Sequence, residues 1–378
     1  MRYYIIAGEA SGDLHGSNLI REIKKRDPSA DIRCWGGDMM RSAGATLVKH
    51  YRDLAFMGFI EVLANIRTIL RNMRFCKRDI LDFQPDVVIF IDYPGFNIPI
   101  AAFAKKHAFR TVYYISPQVW AWKEGRVKKI KASVDKMLVI LPFEKEFYKK
   151  WDFTVEYVGH PLVEVIEESR NTTPGNDRPL KKKTDKPLVA LLPGSRKQEV
   201  QIKLPVMLAV VKHFPDCRFA VAQAPGLEDA FIEAFTSKYS NVDTVKGDTY
   251  GLLKEADAAL VTSGTATLET ALFGVPEVVC YKGSRISYLI AKRLIRVPYI
   301  SLVNLIMGKE VVKELIQDDM NEKNLITELK KILFDAASRE RMLSDYDALR
   351  SLLREGGNAS AKAADSIATV LASKPSTK

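Results

Sequence analysis

Short apolar runs recur through the first half of the chain, at 2–7, 31–35, 86–91, 111–115, 136–140 and 155–158. Between them lie amphipathic segments of helix length, such as 14–26 and 97–107. Strand-length runs alternating with helical periods predict βαβ units and a parallel sheet. Residues 171–187, "NTTPGNDRPLKKKTDKP", hold little that could join a core and read as a linker. After them the rhythm restarts at 188–192, 218–222, 242–245, 258–262 and 277–281, and from 322 to 371 the pattern is helical throughout. The expected organisation is a Rossmann-like domain over 1–170, a linker over 171–187 and a second Rossmann-like domain over 188–345. A helical tail over 346–378 is expected to pack back on the first domain, in its own chain or in a second copy, so a homodimer is compatible with the pattern. Two doubly wound α/β domains facing each other would bind ligands at the C-terminal ends of their strands.

Composition narrows the classes. The chain has 378 residues, 47% of them hydrophobic, enough for two cores. Lys and Arg outnumber Asp and Glu by 57 to 46, a net charge of +11 that favours a negatively charged partner. Nucleic acid is the weaker candidate for that partner, because no zinc-finger spacing, RNP-like run or zipper heptad is present. Cys34, Cys76, Cys217 and Cys280 are widely spaced with no C-x-x-C pair, as expected of buried thiols in a reducing compartment. The histidines show no metal-ligand spacing, so a protein-bound transition metal is not expected, and no cofactor is called for. No run approaches the ~18 apolar residues of a membrane span, which predicts a cytoplasmic protein that at most lies on a membrane.

Two stretches in the second domain look like anion seats. In "LLPGSRKQEV" the strand 188–192 stops at Pro193 and Gly194, and Ser195 opens a helix with Arg196 and Glu199 in its first turn. In "VTSGTATLETALFG" the strand 258–262 turns at Ser263 and Gly264 into a helix beginning near Thr265. A helix start after a parallel strand offers unpaired N–H groups and a positive dipole end, Gly264 lets a phosphate approach the backbone, and Ser263, Thr265 and Thr267 add hydroxyls. Glu269 is placed to hold a ribose diol. The structural alternative is a capped helix with Glu269 as a surface charge; two such seats in one domain favour a nucleotide diphosphate. The absence of G-x-x-x-x-G-K-[ST], G-x-G-x-x-G and G-x-S-x-G argues against a P-loop, a dinucleotide enzyme and a serine hydrolase.

In the first domain "AGEASGD" follows the first strand and sets Glu9, Ser11 and Asp13 toward the ligand side, or simply caps a helix through Ser11 or Asp13. "IDYPGFN" ends a buried strand on Asp92 before a Pro94–Gly95 turn. A carboxylate there has little structural use and good access, which makes Asp92 the candidate general base for a hydroxyl attacking a sugar nucleotide. The only D-x-D, Asp345 and Asp347, lies in the helical tail, so helix N-termini and Arg196 are expected to stabilise the leaving diphosphate. From 56 to 78, Phe59, Leu63, Ile66, Leu70 and Met73 form an apolar stripe flanked by Arg67, Arg71, Arg74 and Arg78. Such a helix suits an anionic membrane surface; a core-packing helix with a solvated basic face is the alternative. Basic residues within 123–131 add a second patch.

These segments, together with "FMGFIEVL", "YYISPQVWAWKEGRVKKI", "LPFEKEFY", "YVGHPL" and "YISLVNLIMGKEVVKELIQ", resemble the lipid-A-disaccharide synthase family in order and spacing over about residues 1 to 350. The resemblance implies a GT-B glycosyltransferase, inverting and metal-independent. It would join UDP-2,3-diacylglucosamine to 2,3-diacylglucosamine 1-phosphate with release of UDP, at the cytoplasmic face of the inner membrane. By position, Asp92 resembles the proposed base, and Glu9, Ser11 and Asp13 fall in the active-site loop. Arg196, Glu199, Ser263, Gly264, Thr265 and Glu269 match UDP-binding motifs, with Ser195 beside them, while Asn304 and Glu310 fall in a motif near the donor. The linker is more basic and longer than the family pattern. A UDP-sugar epimerase, another transferase acting on UDP-N-acetylglucosamine and a non-enzymatic sugar-nucleotide sensor are the competing readings.

Overall fold

The computed structural model describes residues 1–53, 65–122, 124–171, 186–284, 288 and 297–373. Phe59 and Leu63 of the apolar stripe, and most of the segment 171–187, lie outside the described residues. The chain divides into two compact units, one of Met1–Pro161 with Leu353–Lys378 and the other of Leu162–Leu352.

In the first unit β1 (Arg2–Ala7), β2 (Asp31–Gly36), β3 (Thr46–His50), β4 (Val87–Ile91), β5 (Arg110–Tyr114), β6 (Lys136–Val139) and β7 (Glu156–Tyr157) form one sheet in the order β3-β2-β1-β4-β5-β6-β7. Every adjacent pair is parallel. The central strands are apolar at nearly every position because helices cover both faces. Alternation along β1 sends Tyr4 and Ile6 into one core and Tyr3, Ile5 and Ala7 into the other.

The second unit repeats the plan with β8 (Leu188–Leu192), β9 (Arg218–Gln223), β10 (Val242–Lys246), β11 (Ala258–Thr262), β12 (Glu277–Tyr281) and β13 (Lys313–Ile316), ordered β10-β9-β8-β11-β12-β13 and again all parallel. Both sheets therefore carry the Rossmann order, in which the direction of winding reverses beside the first strand. The edge strand β10 is half exposed and carries Asp243 and Lys246, charges that discourage further pairing. All four cysteines are free and buried.

The division falls at Pro161, not at 170. Helix Pro161–Asn171 starts at that boundary and its Ser169 carbonyl accepts a hydrogen bond from Lys254 of the second unit. The chain returns to the first unit at Leu353, later than the 346 expected, because helix Ala336–Arg354 continues across that position. The last helix, Ala359–Ala372, sets Ala359, Ala363, Ala364 and Ile367 into the core that holds Tyr3 and Ile5. Small residues at helical spacing let it lie close to the sheet. Arg26 bonds Asp365 at 2.5 Å, Ser366 donates to Glu156 at 2.8 Å, and Tyr157 donates to the Leu353 carbonyl at 3.3 Å.

Helix Ile66–Phe83 is held to the same sheet by a buried polar chain. Trp35 Nε1 donates to the Tyr4 hydroxyl at 2.7 Å, which donates to Asp79 at 2.7 Å, and Arg33 closes on Asp79 at 2.6 Å. Asn72, Cys76, Ile80 and Phe83 point inward, so Ile66, Leu70, Arg67, Arg71 and Arg74 are left exposed together. Met73, expected in the outer stripe, packs partly against the core.

If the last helix is an integral part of the first core, Ile367→Ala should cost about 2–4 kcal/mol, as large-to-small core substitutions do. Urea denaturation followed by circular dichroism measures this; a midpoint unchanged from the natural chain would contradict it.

Candidate active site

Gly8, Glu9 and Ser11 follow β1, and Asp92 and Tyr93 follow β4, the two neighbouring strands between which the winding of the first sheet reverses. This is where a doubly wound sheet opens a crevice. Asp92 and Tyr93 are both left-handed, with φ of +43° and +50°, a conformation that costs non-glycine residues energy and persists only where neighbours enforce it. The enforcement is visible. The Asp92 N–H donates to the Ile115 carbonyl at 3.2 Å, and the Asp92 carbonyl accepts from Asn97 Nδ2 at 2.8 Å and the Tyr113 hydroxyl at 2.5 Å. Asn97 is fully buried and its amide nitrogen also reaches the Ile91 carbonyl at 3.2 Å. The Tyr93 ring covers Gly8, where any Cβ would collide with it.

Asp92 is exposed as a residue, yet protein atoms crowd around its carboxyl group. That desolvation, with the neighbouring Glu9 charge second, pushes its pKa up to about 7, against a smaller lowering by the Tyr93 backbone N–H. Glu9 is half-buried and Ser11 exposed, both beside this carboxylate's loop. Asp13 has a different task from the one expected. It is buried and accepts from the N–H groups of Gly37, Met40 and Met39 at 2.7, 3.0 and 3.1 Å, so it caps the helix Asp38–Ser42.

At the corresponding point of the second sheet, 193–199 follow β8 and 263–269 follow β11. Helix Lys197–Leu208 begins at Arg196 and helix Thr265–Phe273 at Gly264, and in neither does the N-cap residue's own side chain bond the first turn. In the same unit Asp248 and Ser301 do cap their helices. Gly194 and Gly264 have φ of +117° and +149°, and the space in front of Gly264 is open where a Cβ would stand. Ser195, Arg196, Gly264 and Thr265 are exposed around these turns. The Ser263 hydroxyl donates to the Ile300 carbonyl at 3.0 Å, and Thr267 turns inward to the Gly264 carbonyl at 2.8 Å. Glu269 accepts from the Tyr250 hydroxyl at 3.0 Å; burial raises its pKa, and that hydrogen bond lowers it. Two open helix starts side by side, with an arginine and a flanking carboxylate, suit a nucleoside diphosphate.

The sequence motif placed Asn304 and Glu310 near a donor; the fold gives Asn304 a structural task next to the Ser263 turn and sets Glu310 at the other end of the sheet. Asn304 is completely buried: its amide donates to the Val312 carbonyl and to Glu314, each at 2.9 Å, and its oxygen accepts from Val311 and Val312 at 2.8 and 3.0 Å. Its hydrogen-bonding capacity is used in fixing the chain into β13. Glu310 is exposed before the N-terminal end of β13, 3.3 Å from Lys313, whereas Ser263 and Gly264 follow the C-terminal end of a strand in the same parallel sheet.

Three contributors received no role from the sequence. Asn97 and Glu144 lie inside quoted motifs; Glu144 is fully buried, accepts from the Leu141 N–H at 3.0 Å, and is pushed up to about 7 by burial. Lys203 is buried beside Glu199 and donates to Thr262 at the end of β11. Its signal is a charged residue on an otherwise apolar helix face.

A family model described as lipid-A-disaccharide synthetase matches residues 3–368. A lipid-A-disaccharide synthase of Syntrophus aciditrophicus is 42% identical over 358 residues, 92% of each chain. Among solved structures, the UDP-GlcNAc 2-epimerase of Neisseria meningitidis bound to UDP-GlcNAc superposes with a TM-score of 0.68 over 98% of this chain and 100% of that one, at 14% identity. The glycotransferase of kitacinnamycin gives 0.68 over 98% and 99%, also at 14%. At such identity the structural likeness speaks for the GT-B fold alone.

The clamp on Asp92 makes its own prediction. Asn97→Ala leaves buried carbonyls of Ile91 and Asp92 short of a donor, which should cost about 1–3 kcal/mol in a denaturant titration; a loss below about 0.5 kcal/mol would show that the amide is not what holds this turn.

Proposed function

The chain belongs to the lipid-A-disaccharide synthase family, and from that premise we propose how its residues divide the transfer of 2,3-diacylglucosamine from UDP to 2,3-diacylglucosamine 1-phosphate. Asp92 takes the proton from the attacking acceptor hydroxyl, whose oxygen forms the new bond to the anomeric carbon. The bond from that carbon to the diphosphate breaks on the opposite face, inverting the configuration, and UDP leaves with the electron pair. The charge growing on the diphosphate meets the open helix starts at Arg196 and Gly264 and the guanidinium of Arg196. Glu9 keeps Asp92 basic, and Glu269 holds the ribose.

One observation carries the reading: the motif loops following β1, β4, β8 and β11 all fall where the winding of their sheet reverses. Asp92→Asn should lower acceptor-dependent UDP release by about 10²–10⁴-fold with UDP affinity kept. The natural enzyme should gain rate as pH rises through about 7, where Asp92 ionises, and Glu9→Gln should move that rise to lower pH. Stability runs the other way. A carboxyl whose pKa is higher in the folded chain binds a proton on folding, so its contribution is complete below about pH 4 and is lost as pH rises through the folded value. Asp92→Asn should therefore melt higher than the natural chain above pH 7 and match it near pH 4. A transfer rate unchanged in Asp92→Asn would remove Asp92 from the role of base.

The exposed set Ile66, Arg67, Leu70, Arg71 and Arg74 supports a second part of the reading, that this helix rests on an anionic membrane from which acylated substrates are taken. No helix among the described residues is long and apolar enough to cross a membrane. In a flotation assay with phosphatidylglycerol vesicles, Leu70→Ser combined with Arg71→Glu should reduce binding at least fivefold, with turnover of a short-chain donor retained. Equal flotation of the two proteins would place the membrane contact elsewhere.

A further inference from the structure

Helix Lys197–Leu208 buries Val200, Lys203, Leu204 and Met207 on one face. Three of these are ordinary core residues. The fourth carries an ammonium group, which costs several kcal/mol to bury unless it is paired. Lys203 donates to the hydroxyl of Thr262, the last residue of β11, and its Nζ stands 3.9 Å from the Glu199 carboxylate. Arg196 approaches the same carboxylate from the other side, Nη1 to Oε1 at 3.5 Å. The carboxylate itself lies over Gly194, so tightly that a Cβ there would collide with it. Desolvation pulls the Lys203 pKa down and Arg196 adds to that, while Glu199 and Cys280 pull it back up. One carboxylate is thus shared by two cations, one exposed at the helix start and one sealed behind it.

We propose that Lys203 is a positioning residue of the nucleotide seat: it balances the Glu199 charge from behind, so that Arg196 is left to the diphosphate. The proposal rests on the assignment of this seat to UDP. With Arg196 as its only cation, Glu199 would compete with the phosphates for the guanidinium, and its negative charge would face the ligand uncompensated. A permanent second cation removes both penalties. Thr262 fixes the ammonium to the strand end, so the balance does not depend on the ligand being present.

The test compares UDP and uridine binding by calorimetry, with donor kinetics, in the natural chain, Lys203→Met and the double variant Glu199→Gln/Lys203→Met. Lys203→Met should weaken UDP about tenfold, the loss of one nearby compensating charge, while uridine, which has no phosphate, changes less than about twofold. KM for the donor should rise with UDP affinity, and kcat should stay within about threefold. The double variant should bind UDP more tightly than Lys203→Met does, because the charge that Lys203 balances has gone; it also serves if Lys203→Met alone folds poorly. Equal weakening of UDP and uridine would mean that Lys203 only supports packing, and unchanged UDP binding would remove it from the seat; either overturns the proposal. A natural chain that binds no UDP would instead overturn the nucleotide assignment itself, and this proposal with it.

Discussion

Parallel pairing is the constraint on which the rest of this molecule depends. A parallel neighbour can be reached only by a crossover, so every strand must hand over to a helix at one end of its sheet. Helices that start there bring their unpaired N–H groups to that end. Where the winding reverses, between β1 and β4 and between β8 and β11, two such turns stand side by side with nothing crossing over them. Glu9 and Asp92 occupy one of these places, and Arg196 and Gly264 the other.

A crevice of this kind is useful only if its polar groups stay where they are, and most of the buried ones are engaged in keeping it so. Asp13 caps the helix Asp38–Ser42. Asn97 and Tyr113 hold the carbonyl of Asp92 in a left-handed turn. Asn304 binds Glu314, which in turn accepts from the N–H groups of Ile300 and Ser301, next to the carbonyl that receives Ser263. Each is a buried polar group whose hydrogen bonds to the backbone or to a neighbour offset part of the cost of burying it.

The two sites use burial in opposite ways. At Asp92 partial desolvation and the Glu9 charge make a stronger base of a carboxylate, at some expense of stability. At Lys203 burial is tolerated because a hydroxyl and a carboxylate meet the ammonium.

The amino-acid sequence by itself determined the elements and their class. Apolar runs of strand length separated by amphipathic helices leave little besides two parallel sheets, and the turn chemistry at Gly194, Gly264 and Asp92 marked the strand ends where the winding reverses. These are local properties, written within a few residues. Direction was not local. Whether a carboxylate faces a ligand or a neighbouring backbone depends on segments far away in the chain: Asp13 is taken by N–H groups some 24 to 27 positions on, and Lys203 meets a hydroxyl 59 positions away. Asn304 and Glu310 follow the same rule, since one turns inward to β13 and the other sits at the opposite end of a parallel strand from the seat. Which polar residues serve the fold and which are free for chemistry was decided by tertiary packing, because only packing says which donors are left without partners.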